Sequence, residues 1–167
     1  MWKSSTALQR SVHRHNCIRL SEVQLPEGLT AIGNDAFANC TILSSISLPS
    51  TVSTLGEAAF NNCISLSDIN FPAGLHRIEA FTFQSCGFTQ LTIPDSITSI
   101  GMCAISYCPN LTEVTFSDTT ELGEYVFEES NIHTVHAPEQ FLAHLDLSNI
   151  FRQTPWLAAQ EKAHPNG

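Results

Sequence analysis

The fold is decided by residues 43–63, LSSISLPSTVSTLGEAAFNNC, which return as LSDINFPAGLHRIEAFTFQSC at residues 66–86. The two stretches share their apolar positions, a proline, an aromatic residue and a final cysteine at an offset of 23 residues. Three such columns recur along the chain: Pro26, Pro49, Pro72 and Pro94; Cys17, Cys40, Cys63, Cys86 and Cys108; and Phe37, Phe60, Phe83, Ile105 and Phe127. Independent columns that agree on one period of 22–23 residues indicate a repeat protein.

A single repeat predicts one strand and one turn. The alternation of Ile46, Ser47 and Leu48 is typical of a strand with one buried face, and Pro49 ends it because proline cannot donate to a ladder. A second apolar pair then turns the chain inward, and Gly56 fits a tight backbone position. The Ala-Phe-x-x-Cys segment predicts a short helical or 3₁₀ turn. Since one unit cannot bury its apolar side alone, the units must stack into a solenoid.

The consensus L-x-x-I-x-L-P-x-x-L-x-x-I-G-x-x-A-F-x-x-C resembles the BspA-like, or treponemal-type, leucine-rich repeat over residues 20–137. The resemblance implies an α/β repeat fold, a leucine-rich-repeat solenoid with a parallel β-sheet on the concave face and short helical or 3₁₀ turns on the convex side. It also implies the role typical of this family, which is surface-displayed or secreted repeats that adhere to other proteins. In the later units Ile105 replaces Phe, Ser117 replaces Pro and Ser130 replaces Cys, so we expect local irregularity there.

Three segments follow from this pattern: residues 1–19, a repeat solenoid at 20–137 with about 5–6 units, and residues 138–167. The first segment is basic and free of acids, and it is either a decayed repeat or a leader. No apolar stretch follows the N-terminal charge, so a secretory signal is not evident. Pro138 and the Thr154-Pro155 pair start helices in the last segment. We expect these helices to form a C-terminal cap, with partner docking as the alternative role, and the cap residues are Phe141, Leu145, Phe151 and Trp156.

The net charge of −9 restricts the partners. Between residues 20 and 137 Arg77 is the only Lys or Arg, against thirteen Asp and Glu. Such a surface repels nucleic acid and favours a protein with a cationic patch. No apolar run approaches the ~18 residues that span a bilayer, so no membrane insertion is expected. The chain is predicted to be a monomer or part of a longer repeat array.

The predicted strands direct two columns of polar side chains outward on the concave face. The ligand-binding candidates are Glu22, Gln24, Ser45, Ser47, Asp68, Asn70, Gln90, Thr92, Glu113 and Thr115, with Thr134 and His136 at the last strand. This face is polar and mildly acidic, and it lacks the Trp, Tyr and Arg of strong interface hot spots. It is therefore either a weak, polar protein-binding face or a solvated face without a ligand.

The cysteines are expected to form a ladder of buried free thiols, with disulfides and a metal site as the alternatives. Cys103 lies outside the column and is predicted to be the accessible thiol. The histidine pairs His13/His15 and His133/His136 lack partners at metal-ligand spacing. No metal, cofactor or catalytic motif is predicted, and the chain is not expected to be an enzyme.

Asn110 begins an Asn-Leu-Thr triplet on a predicted turn and is a possible glycosylation site. Asn39 begins a similar triplet before a cysteine that is expected to be buried, so it is the poorer acceptor. Two functions remain open: an interaction or adhesion module that uses the concave face, and a structural spacer in a larger surface array.

Overall fold

The computed structural model describes residues 18–163 together with the backbone of one strand at Ala7–Leu8. Within these residues the chain forms eleven short strands followed by three helices. The strands are β1 Ala7–Leu8, β2 Ala31–Ile32, β3 Ser45–Ile46, β4 Thr54–Leu55, β5 Asp68–Ile69, β6 Arg77–Ile78, β7 Gln90–Thr92, β8 Ser99–Ile100, β9 Glu113–Thr115, β10 Glu121–Leu122 and β11 Thr134–His136. The helices are α1 Glu139–Leu142, α2 Leu147–Ile150 and α3 Pro155–Ala163.

The strands form two sets of parallel ladders, so each circuit of the chain, called a coil below, contributes two strands. One set contains β1-β2-β4 and β6-β8-β10, and the other contains β3-β5 and β7-β9-β11. The register repeats from coil to coil, as in Ser45 opposite Asp68 and Gln90 opposite Glu113. The predicted leucine-rich-repeat solenoid with a parallel sheet is confirmed. The first set was not foreseen, because the sequence indicated only an inward turn at Val52 and Leu55.

The predicted strand at Glu22 and Gln24 does not form. Residues 20–26 lie next to β3 without pairing with it. The apolar side chains of this segment, Leu20, Val23 and Leu25, are only partly buried against the core. Ile69 and Val135 are also only partly buried, yet their strands β5 and β11 pair, so burial alone does not explain why this segment stays unpaired.

The segments that end in the cysteine column are chains of turns rather than helices. Ala36 N donates to Gly33 O at 3.3 Å, a 3₁₀-type bond, whereas Phe37 N donates to Ala59 O of the next coil at 2.8 Å. Left-handed residues interrupt each turn, as Asp35 (φ 56°) and Asn39 (φ 63°) do here. Alternate N–H groups therefore bond the neighbouring coil, and no continuous helix can form.

The phenylalanine column is the centre of the core. Phe37 and Phe60 stack at 5.3 Å between ring centroids, and Phe60 and Phe83 at 5.6 Å. Ile105 interrupts the stack, which resumes with Phe127 and Phe151 at 5.0 Å. Phe151 thus continues the column into the segment predicted as a cap.

The C-terminal helices close the apolar end of the solenoid, which confirms the predicted packing of the cap residues. Phe151 and Trp156 are buried with centroids 4.7 Å apart, and Phe141 and Leu145 pack against the same core. Thr154 caps α3, because its Oγ1 accepts from Leu157 N at 3.3 Å. The expected fraying of residues 164–167 lies outside the described residues. The choice between a decayed repeat and a leader at 1–19, and the boundaries of the three segments, stay predictions.

The cysteine column forms the expected ladder of buried thiols. The thiol Sγ atoms of Cys63, Cys86 and Cys108 donate to the carbonyls of Phe37, Phe60 and Phe83 at 3.1, 3.3 and 3.4 Å. Burial raises the pKa of Cys86 well above its ordinary value and that of Cys108 to about 12. These thiols are free, and Cys103 is partly exposed outside the column, as predicted.

Candidate binding face

The outward side chains of β3, β5, β7, β9 and β11, together with the residue after each two-residue strand, form one surface, called the strand face below. The residues of the strand face are exposed or partly exposed: Ser45, Ser47, Asp68, Asn70, Gln90, Thr92, Glu113, Thr115, Thr134 and His136. Glu22 and Gln24 are also exposed, but they belong to the unpaired first segment. Within each ladder parallel pairing separates neighbouring rows by about 4.8 Å, whereas β5 and β7 are not paired with each other.

A chain of side-chain bonds crosses three strands of this face. Gln90 Nε2 donates to Glu113 Oε2 at 3.4 Å, and His136 Nε2 lies 2.9 Å from Glu113 Oε1. These contacts hold the Glu113 carboxylate between its two neighbours, at partly exposed positions. The face therefore presents an ordered acidic group rather than a freely rotating one.

Asn70 has a structural role that its sequence position did not reveal. Its Oδ1 accepts from Leu48 N at 2.6 Å and its Nδ2 donates to Leu48 O at 2.9 Å. Both ends of the amide are therefore engaged by the backbone of the preceding coil. The equivalent positions hold Ser47, Thr92 and Thr115, and nothing in the repeat pattern predicts this bond over 22 residues.

The charges of the strand face are mainly acidic. Asp68 and Glu113 lie on its paired strands, and no Lys or Arg occupies any of its positions. Arg77, the cation of the middle coils, lies on β6 of the other ladder set, where its Nε is 3.2 Å from Glu79 Oε1. The cation is thus on a different surface and already has a partner.

A cavity of about 300 Å³ opens at one end of the strand face, between the unpaired first segment and the chain that follows β3. Its lining residues are Val23, Gln24, Leu25, Glu27, Ser47 and Pro49. Gln24 and Ser47 are two of the binding candidates predicted from sequence. The cavity was not predicted, because residues 20–26 were expected to form a strand beside β3.

The aromatic residues missing from the strand face lie on the turn side of the coils. Tyr107 is 41% exposed, and the guanidinium carbon of Arg152 lies 5.6 Å from the ring centroid of Tyr125. Arg152 Nε is also 3.5 Å from Glu128 Oε1. The negative charge of Glu128 is the main reason that the pKa of the Tyr107 phenol is raised.

No group of three or more His, Cys, Asp or Glu in residues 18–163 is arranged to hold a metal ion. No helix in the same part has the length and apolar character that crossing a bilayer requires. Asn110, the possible glycosylation site, is exposed on a turn after Pro109.

The arrangement of repeats agrees with a known family. The model of the BspA type leucine rich repeat region matches residues 13–88 and 30–154, with six copies. The chain belongs to the BspA-type leucine-rich-repeat family. The match extends past residue 137, which agrees with the place of Phe151 in the phenylalanine column.

Solved leucine-rich-repeat proteins share the fold. A Treponema pallidum leucine-rich-repeat protein is 28% identical with a TM-score of 0.59, over 69% of this chain and 55% of that one. A Bacteroides ovatus leucine-rich-repeat protein is 22% identical with a TM-score of 0.54, over 71% of this chain and 43% of that one. The pneumococcal vaccine antigen PcpA is 18% identical with a TM-score of 0.56, over 74% of this chain and 38% of that one.

The chain therefore spans about half the length, or less, of these solved structures. Among proteins of curated function, no sequence relative matches this chain.

Proposed function

We propose that this chain is a non-enzymatic protein-binding module that contacts a cationic patch of a partner protein through the strand face. The observation that carries the proposal is the one-sided charge of this face, where Asp68 and Glu113 face outward and no Lys or Arg lies among them. Repeats of this family typically serve protein interaction or adhesion. A cationic partner is attracted by such a face during diffusion, and a partner of like charge is repelled.

The ordering of Glu113 supports this function. Because Gln90 and His136 already hold its carboxylate, less side-chain entropy is lost when a partner binds. The face has no aromatic anchor, so a single chain binds weakly. Repetition of the surface in a longer array raises the overall affinity through effective concentration.

A charge-matched pair of variants tests the proposal. The double variant Asp68→Asn with Glu113→Gln removes two charges from the strand face, and Glu57→Gln with Glu124→Gln removes two exposed charges from the turn side. Binding of an octalysine peptide is measured by calorimetry at low salt. We expect the strand-face variant to weaken binding by about tenfold and the control by less than about twofold. Equal losses in both variants would contradict a strand-face site.

A structural spacer in a larger surface array is the second candidate. It is favoured by the fact that the chain covers only 38–55% of the three solved structures compared above. A spacer needs no charge asymmetry, so it predicts equal octalysine binding by both double variants.

A further inference from the structure

We propose that the cavity between the first segment and β3 is a binding site for a single long cationic side chain, lysine or arginine, of the partner protein. The inference rests on the proposed function of the strand face and names the group that its end would hold. The occupant follows from the shape, the chemistry and the charge of the cavity.

The site lies where the expected strand pairing is absent. Residues 20–26 do not pair with β3, and a gap of about 300 Å³ lies between the two segments. The gap holds a side chain of several methylenes together with a few water molecules. It is too small for a folded element of a partner.

The lining has an apolar part and a polar part. Val23, Leu25 and Pro49 provide apolar surface, and the first two are partly buried against the core. Gln24, Glu27 and Ser47 provide an amide, a carboxylate and a hydroxyl at the exposed side. An aliphatic stem that ends in a cation matches this division, because its methylenes cover apolar surface while its charged end meets acceptors.

The charge excludes other occupants. Among the described residues Glu27 is the only charged one of the lining, so an anion would meet a carboxylate there and none of the described cations. A purely apolar side chain would remove water from Glu27 and Gln24 without replacing their hydrogen bonds, and such desolvation is costly. A cation instead forms charge-assisted hydrogen bonds there.

The test uses small mimics of the side chains, so that it measures the cavity and not the whole face. The ¹⁵N-labelled full chain is titrated with n-butylguanidinium and n-butylammonium, and the amide shifts are followed by NMR; n-butanol is the neutral control. We expect saturable shifts centred on Gln24, Glu27 and Ser47 with either cation, and weaker effects with butanol. The two cations show whether the site prefers arginine or lysine.

Three variants make the test decisive. Glu27→Gln is expected to weaken cation binding at least threefold, and Ser47→Trp, at an exposed position, is expected to fill the cavity and abolish binding without a change in charge. Glu57→Gln, which removes a distant exposed charge, is expected to change nothing. Unchanged binding in Glu27→Gln and Ser47→Trp, shifts spread evenly over all acidic residues, or an equal response to butanol would overturn the proposal.

The outcome is separable from that of the strand-face test. Loss of the cavity site with preserved dependence of octalysine binding on Asp68 and Glu113 overturns this inference alone. Cation binding in the cavity with no such dependence overturns the strand-face proposal instead.

Discussion

The hydroxyl of Ser130 donates to the carbonyl oxygen of Ile105 at 3.0 Å. The thiol of Cys86, two coils earlier, donates to the carbonyl oxygen of Phe60 in the equivalent position. Ser130 and Ile105 both depart from the repeat consensus. The hydrogen bond is nevertheless kept, because serine and cysteine present a donor at the same place. The cysteine column is thus a column of buried donors to turn carbonyls, and redox chemistry is not needed to explain it.

The donor role predicts how the cysteine column tolerates substitution. Cys86→Ser keeps the bond to Phe60 O and should lower the free energy of unfolding by less than about 1 kcal/mol. Cys86→Ala removes one of the two donors to Phe60 O, which keeps its bond from Cys63 N at 3.2 Å, and opens a small void, so it should cost about 1–3 kcal/mol. Urea unfolding of both variants measures the difference, and a serine variant less stable than the alanine variant would contradict the donor role.

The phenylalanine stack predicts a large effect at its centre. Phe60 lies between Phe37 and Phe83 at 5.3 and 5.6 Å and is fully buried. Phe60→Ala should therefore cost about 3–5 kcal/mol in the free energy of unfolding. Ile64→Ala, at a residue of the same coil that is 54% exposed, is the control and should change stability by less than about 0.5 kcal/mol. Similar losses in the two variants would show that the stack is not the main source of core stability.

The left-handed backbone at Tyr107 predicts which substitutions this position tolerates. Its φ is 56°, a conformation that asparagine adopts far more easily than a bulky aromatic residue. Tyr107 is 41% exposed, so Tyr107→Asn loses the covered part of the ring while it relieves the backbone, and we expect a net change of less than about 0.5 kcal/mol. Tyr107→Val should destabilise, because a β-branched residue tolerates positive φ poorly. Thermal unfolding of both variants measures each effect.

Thiol reactivity should separate Cys103 from the cysteine column. Cys103 is partly exposed, and its pKa is raised by desolvation first and by the charge of Glu128 second. Because only the thiolate reacts, its rate at a given pH should lie below that of an unperturbed thiol and keep rising above the ordinary thiol pKa. Glu128→Gln should increase the rate at fixed pH, and Cys103→Ser should remove one reactive thiol. Labelling with a disulfide reagent across the pH range, followed by mass spectrometry, measures each site; equal labelling of Cys86 in folded protein would contradict its burial.

The sequence predicted the parts of the fold whose residues recur at the same position in successive repeats. The proline, cysteine and phenylalanine columns located the strands at Ser45, Asp68, Gln90 and Glu113, because large or special residues recur there in every unit. The second ladder set escaped prediction, since strands of two residues such as Thr54–Leu55 are too short for an alternating pattern. The segment around Phe151 is predicted as a cap because Pro138 and the Thr154-Pro155 pair indicate helix starts, and a threonine in place of cysteine or serine hides its relation to the repeat.

The candidate site was less predictable than the fold. The strand-face columns followed from the strand pattern and are exposed or partly exposed, whereas the hydrogen bonds of Asn70 to Leu48 depend on an asparagine that only one position of its column has. The cavity lies beside the expected strand at Glu22 and Gln24, which does not form in this coil. Periodicity describes what successive units share, so it cannot reveal features that belong to one coil.

The coil-to-coil hydrogen bonds have a mechanical consequence. They join each coil to its neighbours only, as in Ser53 N to Thr30 O and Gly101 N to Ile78 O at 2.9 and 2.8 Å. A force applied to the two ends of the chain is then resisted by one interface between coils at a time. The coils should therefore unfold one after another. Each released unit of 22–23 residues adds roughly 75 Å of extended chain, so a protein of this kind pulled between two surfaces lengthens in stages and absorbs work before it gives way.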